Sequence, residues 1–371
     1  MSNVSSNVTA PTNTELCDKE TEGEMIAHSV FLSAVMVFTL FGNFLVIGTV
    51  VTYEKLRTVT NYFVISLAVS DVLVGLITLP LKASFEILID QMTHNKKWCH
   101  GIELCTSWII ADIVCNCASI WNLVLISIDR AIAISCPFHY REMITKTKAC
   151  LLIALVWCGS ILVALLAVLN WTHPGKKHIF MKFSCQKGDR VYYTVAAAIG
   201  FFLPLLIILV SYGIVFSIAY RQAKAVVATS RRNSLTTVHF LREFKAGKTL
   251  AIVVGAFIIC WLPFFIILLV TFWSQKEFYR WSVRNKIAFE FVDVTFIYLL
   301  TSVNSALNPF IYALFNMELR RGFIKFFFKI FRVKAQRKTS SEGFSSSVTY
   351  SSRRHSCNPM VALTKRNSSS I

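Results

Sequence analysis

Seven apolar stretches, each long enough to cross a lipid bilayer, constrain the fold of this chain more than any other feature. They lie at about 28–52, 61–83, 105–135, 148–170, 191–220, 247–272 and 288–312. The hydrocarbon core of a bilayer is about 30 Å thick, which a helix of about 20 residues spans. A backbone in lipid must satisfy its own hydrogen bonds, so each stretch is predicted to be helical. The sequence therefore predicts an all-α integral membrane protein with a seven-transmembrane helix bundle.

The composition agrees with lipid as the main solvent of this chain. Apolar residues make up 55% of its 371 residues and charged residues 16%, and the mean hydropathy is +0.57. A typical soluble domain has about 25% charged residues. A soluble protein with this composition would carry too few charges to cover its surface.

The distribution of charge predicts the orientation of the chain in the membrane. Residues 221–248 carry seven Lys and Arg against one Glu, and residues 316–371 carry twelve against two acidic residues. Residues 1–27 carry one basic residue against five acidic ones. Basic segments favour the cytoplasmic side, so the N-terminus is predicted to be extracellular in a multi-pass plasma-membrane protein. Charge placed in this way indicates topology, and no nucleic-acid partner is expected.

Composition divides the chain into four predicted segments. Residues 1–27 form an extracellular N-terminus with glycosylation sequons at Asn3 and Asn7, and 28–312 form the transmembrane domain. Residues 313–334 have Phe and Leu on one helical face and Lys and Arg on the other, which predicts an amphipathic helix on the anionic inner leaflet. Residues 335–371 are rich in Ser and Thr and are predicted to be a disordered cytoplasmic tail. Ser234 and Ser356 follow pairs of arginines and are predicted phosphorylation sites.

Acidic residues inside the spans mark candidate functional positions, because an ionisable group in the membrane is costly. Asp71 lies in the middle of the second span, Asp112 about two turns from the outer end of the third, and Asp129 near the inner end of the third. Asp112 shares a helix face with Asn116 and Ser119, which follow at i+4 and i+7. No Lys or Arg of the spans is expected close enough to neutralise Asp112. A structural pairing of Asp112 with another helix stays open, as does a purely anchoring role for Asp129.

Each span also carries a short motif of its own. In chain order these are Gly42-Asn43, Ser66-Leu67-Ala68-Val69-Ser70-Asp71, Cys105 with Asp129-Arg130-Ala131, Trp157, Pro204 with Tyr212, Phe257 with Cys260-Trp261-Leu262-Pro263, and Asn304-Ser305 with Asn308-Pro309-Phe310-Ile311-Tyr312. In this combination residues 28–330 resemble the rhodopsin-like (class A) G-protein-coupled receptors. The third span and the segment Trp261–Phe265 are most similar to the receptors for biogenic amines.

The resemblance implies a receptor, not an enzyme, that binds a small extracellular amine and activates heterotrimeric G proteins. In such a site a carboxylate binds the ligand's ammonium, and aromatic faces add cation–π attraction. The implied ligand-binding residues are Asp112, Asn116, Ala196, Ala197, Gly200, Trp261, Phe264, Phe265, Tyr298 and Ser302. Catechol receptors carry serines where Ala196, Ala197 and Gly200 stand, so a non-catechol or trace-type amine is predicted. Ser302 replaces the tyrosine that usually accompanies the carboxylate.

Three further features are implied by the same resemblance. The first is an activation switch in which Arg130 pairs with Asp129 and Glu243; its members are Asp129, Arg130, Glu243, Tyr212, Pro263, Pro309 and Tyr312. The second is an allosteric sodium site, the only cofactor implied, formed by Asp71, Ser119, Asn304 and Asn308. The third is a disulfide between Cys105 and Cys185, which leaves open whether Cys17 and Cys99 form a second one. Arrestin, receptor kinases and membrane lipid are the other expected partners.

The same residues bear on other functions. A rhodopsin-like receptor for a peptide or a melatonin-like ligand, with Asp112 structural, is the main alternative. A transporter is disfavoured because no internal repeat is found. A visual pigment would need a lysine within the seventh span, and residues 287–315 contain none. Metal clusters, a nucleophile elbow and a phosphate loop, which would point to an enzyme, are absent from the sequence.

Overall fold

The computed structural model describes residues 22–87, 102–167, 190–228 and 234–342, and these segments are almost entirely helical. Seven of the helices are long and apolar enough to cross a membrane. The spanning helices are α1 (Glu22–Thr52), α2 (Val59–Leu73, continued by Val74–Thr78 and Leu79–Ile87), α3 (Ile102–Ser135), α4 (Lys146–Leu166), α5 (Arg190–Ala197, Ala198–Phe202 and Leu203–Ala228), α6 (Ser234–Trp273) and α7 (Lys286–Val292, Asp293–Leu299 and Leu300–Phe315). Short helices at Glu54–Leu56, Tyr140–Met143 and Gln275–Arg284 lie between them, and α8 (Met317–Glu342) follows.

The predicted fold class is confirmed. The membrane-spanning parts of the helices are Ser29–Thr52, Val59–Ala83, Glu103–Ser135, Lys146–Leu166, Arg190–Ile218, Ala251–Trp273 and Lys286–Phe315. Each begins and ends within four residues of the prediction. Agreement this close is expected, because the thickness of the bilayer fixes the length of every apolar segment.

Three of the spanning helices contain a π-helical turn. These turns lie at Val74–Thr78 in α2, Ala198–Phe202 in α5 and Asp293–Leu299 in α7. A π turn closes its hydrogen bonds from i to i+5 and so accommodates one extra residue. Side chains beyond the turn are therefore rotated away from the face that α-helical spacing would give them.

Side-chain hydrogen bonds join the spanning helices inside the bundle. The Trp157 indole of α4 donates to the Ser66 hydroxyl of α2 at 3.0 Å. The Asn43 amide of α1 donates to the backbone carbonyl of Ser305 in α7 at 3.1 Å. Large apolar side chains such as Phe41 are instead 59% exposed on the outside of the bundle, where lipid would cover them. Polar groups therefore lie between helices and apolar groups face outward.

The last helix begins at an asparagine cap and runs further than predicted. The Asn316 side-chain oxygen accepts hydrogen bonds from the backbone N–H groups of Glu318 and Leu319, both at 3.1 Å. The helix ends at Glu342, eight residues beyond the predicted boundary at 334. The chain forms two compact units, Met1–Phe326 and Phe327–Ile371, and α8 begins in the first. The predicted disordered tail lies outside the described residues from 343 onward.

A glycine in α1 allows this helix to pack tightly against a proline of α7. A Cβ atom at Gly42 would lie 2.7 Å from Cβ and 2.8 Å from Cγ of Pro309. Real carbon atoms do not approach so closely without a shift, and the proline ring has little freedom to move. Gly159 in α4 is different, because nothing lies within 4 Å of the position its Cβ would take.

We expect Gly42→Ala to lower the free energy of unfolding of the purified protein by about 1–3 kcal/mol, which is the usual cost of overpacking. Gly159→Ala is the matched control. It should leave stability unchanged or raise it by up to about 1 kcal/mol, because alanine favours the helix. Thermal unfolding in detergent measures both variants. Equal stability of the two would show that α1 is free to move away from Pro309.

Candidate ligand-binding site

A cavity of about 410 Å³ lies between the spanning helices α2 to α7. This volume is within the range of small-molecule sites, about 300–1,000 Å³. All ten residues proposed from the sequence as ligand-binding lie on its wall: Asp112, Asn116, Ala196, Ala197, Gly200, Trp261, Phe264, Phe265, Tyr298 and Ser302. The fold thus brings together residues that are up to 190 positions apart in the chain.

Stacked aromatic rings form the wall of the cavity on the α5 and α6 side. The Phe201 ring stacks on Phe265 with centroids 4.4 Å apart. Trp261 meets Phe264 edge-to-face at 5.6 Å and lies 5.9 Å from Phe265. These contacts hold each ring in place, so a bound ligand would meet preformed aromatic faces. Phe201 was not among the residues proposed from the sequence.

The expectation that no basic residue could neutralise Asp112 is wrong. Lys82, near the end of α2, lies on the wall of the same cavity, and its ammonium attracts the Asp112 carboxylate. Asn116, one helical turn further along α3, lies on the same wall. The sequence placed Lys82 at the edge of a span, where lysines ordinarily extend to the water interface. The π turn at Val74–Thr78 precedes it and changes the face on which it lies.

Two more groups of cavity residues were missed. Tyr192 and Tyr193 lie one turn outward from Ala196 and Ala197 on α5 and line the cavity. Tyr192 and Tyr193 thus bring two phenol side chains to the α5 side of the cavity, whereas Ala196, Ala197 and Gly200 carry no hydroxyl. Asp293 of α7 also lines the cavity. Asp293 lies inside a π turn, where α-helical spacing does not predict which face of the helix a side chain occupies.

A second polar cluster surrounds Asp71, whose side chain is completely buried. Asn308 of α7 donates to one carboxylate oxygen, Oδ2, at 2.8 Å. The other oxygen, Oδ1, is buried without a hydrogen-bond partner, and so is the hydroxyl of Ser119 on α3. Asn304 is buried as well. Buried oxygens of this kind suit a hard cation such as sodium, so the residues present fit the sodium site that the sequence resemblance implied.

At the inner end of α3, Asp129 and Arg130 belong to a buried hydrogen-bond network. Arg130 Nη2 lies 2.7 Å from Asp129 Oδ2, and the same guanidinium nitrogen donates to the Thr60 hydroxyl of α2. That hydroxyl donates in turn to Asp129 Oδ2 at 2.6 Å. The Tyr140 hydroxyl donates to the other oxygen, Asp129 Oδ1, at 2.6 Å. The Asp129 carboxylate is thus held from three directions.

Residues 42–312 match the family described as 7 transmembrane receptor (rhodopsin family). The chain belongs to this family.

The relatives of this receptor include receptors for amines. It is similar to the D(1)-like dopamine receptor of Takifugu rubripes, with 36% identity over 327 residues, which is 79% of this chain and 68% of the relative. It is 35% identical to the D(1A) dopamine receptor of Xenopus laevis over 85% of this chain and 76% of the relative. It is also 33% identical to the human Histamine H2 receptor over 81% of this chain and 79% of the relative. The chain is thus a multi-pass rhodopsin-like receptor with aminergic relatives, and it is not an enzyme.

Other residues proposed from the sequence fall in different parts of the receptor. Pro263 and Pro309 lie inside α6 and α7. The hydroxyls of Tyr212 and Tyr312 are buried without hydrogen-bond partners. Cys105 is disulfide-bonded. Outside the described residues are the side chains of Glu243 and Ser234 and the residues Cys17, Cys99, Cys185, Asn3, Asn7 and Ser356.

The hydrogen bond from Tyr140 to Asp129 can be tested by substitution. Burial raises the pKa of its hydroxyl, and the neighbouring Asp129 carboxylate raises that pKa further, so the phenol stays protonated and donates its hydrogen bond at neutral pH. A hydrogen bond to a charged group contributes about 1.5–3 kcal/mol. We expect Tyr140→Phe to lower the unfolding free energy of the purified receptor by this amount. Tyr279 is 67% exposed, so Tyr279→Phe is the control. It should leave the unfolding free energy unchanged in the same thermal assay.

Proposed function

We propose that this receptor lies in the plasma membrane with its N-terminus outside, binds a small amine in the cavity and activates heterotrimeric G proteins. The ligand would be a non-catechol or trace-type amine. The four segments would be an extracellular glycosylated terminus, the transmembrane domain, the amphipathic α8, which extends to Glu342, and a cytoplasmic tail. Arrestin and receptor kinases would act on the inner face and tail.

One observation carries the amine proposal, namely the carboxylate of Asp112 on the wall of a cavity lined mainly by apolar and aromatic side chains. An ionised carboxylate is costly in such surroundings unless a cation or hydrogen-bond donors offset the cost. Lys82 on the same wall offsets part of that cost, and a protonated amine would add a second cation with up to three donors. Trp261 and Phe264 would present their ring faces to it, which adds about 0.5–2 kcal/mol.

The α5 side of the cavity supports the absence of a catechol. Ala196, Ala197 and Gly200 offer no hydroxyl at the depth where a catechol ring would need a pair of them. The phenols of Tyr192 and Tyr193 lie one turn further out and could bind one ring substituent. The relatives named above are receptors for dopamine and histamine, so the family accommodates ligands that differ in the ring and share the amine.

The inner network supports a two-state switch. Arg130 is bound to Asp129 and Thr60, and we propose that these contacts and a further pairing with Glu243 of α6 belong to the resting state. Outward movement of α6 at Pro263 would open a cleft for the G protein, with Tyr212, Pro309 and Tyr312 reorganising around Arg130. Sodium held by Asp71, Ser119, Asn304 and Asn308 would stabilise the closed state.

Substitution of Asp112 tests the amine site. A panel of tryptamine, tyramine, phenethylamine, histamine and dopamine, read by cAMP and calcium reporters, identifies an active amine. Asp112→Asn should then lower its potency more than about a hundredfold, because loss of one partner of a buried ion pair costs about 3–5 kcal/mol. Surface expression should stay normal. Glu277→Gln, an acid whose side chain is 72% exposed, is the control. Unchanged potency in Asp112→Asn would contradict the amine proposal.

Substitution of Glu243 tests the switch. If Glu243 restrains Arg130, Glu243→Ala should raise ligand-free signalling several-fold, since removal of a contact specific to the closed state shifts the population toward the open one. The measurement is basal cAMP and calcium signal at matched surface expression. Basal signal equal to that of the unsubstituted receptor would rule out this pairing as a restraint.

A further inference from the structure

The short helix Gln275–Arg284 is held close to the membrane by its connections to α6 and α7. The α6 span ends at Trp273 and the α7 span begins at Lys286, so a single residue separates the helix from each span. One residue extends a chain by at most about 3.6 Å. The backbone N–H of Phe278 also donates to the carbonyl of Ser274 at 2.8 Å, which keeps the first junction compact. The helix therefore lies at the surface of the bilayer in which both spans end.

This helix has three distinct faces, and the first packs against the bundle. The ring of Phe278 lies 6.0 Å from the ring of Phe289 in α7, and the Trp281 ring lies 6.5 Å from the same ring. Ser282, which shares this face, is 5% exposed. Contact with α7 thus fixes how the helix is rotated about its own axis.

The second face is charged. Lys276, Arg280 and Arg284 follow one another at intervals of four residues, and Glu277 lies beside them and forms an ion pair with Arg280. All four side chains are exposed. Ionised groups are costly to remove from water, so this face belongs in water or among lipid headgroups.

The third face is apolar and exposed. Tyr279 and Val283 lie four residues apart and are 67% and 54% exposed. Since successive residues of a helix are rotated by about 100°, the centre of this face lies about 95° from the charged face and about 130° from the packed face. Trp273, at the end of the α6 span, is 60% exposed. Tryptophan and tyrosine are enriched where lipid meets water, so the surroundings of this face are those of a membrane boundary.

We infer that Gln275–Arg284 is an interfacial helix, which inserts Tyr279 and Val283 among the acyl chains of the bilayer and keeps its charged face in the headgroup layer. In the proposed orientation of the receptor this is the outer leaflet. The leaflet rests on the proposed function, whereas the insertion itself does not. Phe272 of α6 and Asp293 of α7 line the ligand-binding cavity, so this lipid contact would fix the outer ends of two helices that form the cavity wall.

Fluorescence quenching by lipid and by buffer tests the insertion. Single cysteines are introduced into the full-length receptor as Tyr279→Cys, Val283→Cys and, on the charged face as the control, Lys276→Cys. Each is labelled with the fluorophore NBD and reconstituted in nanodiscs of phosphatidylcholine. The quenchers are iodide in the buffer and nitroxide groups near the top of the acyl chains, because an interfacial helix buries its apolar face about 5–10 Å deep. The signal of the labelled receptor without an added cysteine is subtracted.

We expect nitroxide lipid to quench the labels at positions 279 and 283 several-fold more than the label at 276, and iodide to give the reverse order. Iodide quenching at 279 and 283 equal to that at 276 would overturn the inference, because the apolar face would then lie in water. Protection from both quenchers would also overturn it, since a protein surface such as a second copy of the receptor would then cover this face.

Two features of the experiment keep its result decisive. If Tyr279→Cys does not fold, Val283→Cys reports on the same face. Both leaflets of the nanodisc contain the same lipid, so the result does not depend on the orientation of the receptor. Failure of the inference would therefore leave the proposed function intact.

Discussion

The lipid bilayer offers a backbone no hydrogen-bonding partner, and the rest of this structure depends on that constraint. Every spanning segment must be a helix, and the helices cannot be held together by the exclusion of water, because lipid is as apolar as their own side chains. Specific contacts have to bring them together. Gly42 against Pro309 is one kind, a close approach of two backbones, and the bond between Trp157 and Ser66 is another.

Polar side chains therefore serve two purposes in this bundle. Some join helices directly, as Asn308 of α7 does when it donates to Asp71 of α2. Others leave part of their hydrogen-bonding capacity unused inside the protein, such as the second oxygen of Asp71 and the hydroxyl of Ser119. Unused buried oxygens would be destabilising in a molecule that only had to fold. Their presence supports the assignment of these positions to binding and switching.

The sequence predicted the spans well and the geometry between them only in part. Hydropathy locates helices because bilayer thickness fixes their length, and a motif in each span identified the residues around Asp112. Lys82 was missed because hydropathy treats a lysine near the end of a span as interfacial, and because the π turn at Val74–Thr78 changes its face. The roles of Thr60 and Tyr140 at Asp129 were missed for another reason. Thr60 comes from α2 and Tyr140 from the short helix Tyr140–Met143, and no periodic pattern in one segment reports a contact with another.

The buried network around Asp129 lies at the other end of α3 from the ligand-binding cavity. Thermodynamics limits how strongly ligand binding in the cavity can change this network. For a ligand to break the network, it must bind the open state of the receptor more tightly than the closed state. A ligand with equal affinity for both states does not change their populations. Couplings of this kind amount to about 1–3 kcal/mol, or about 5-fold to 150-fold in affinity. Linkage is reciprocal, so when a ligand and a G protein favour the same state of the receptor, each tightens binding of the other by the same factor. The ratio of ligand affinities with and without G protein would therefore measure the coupling free energy between the two ends of the receptor.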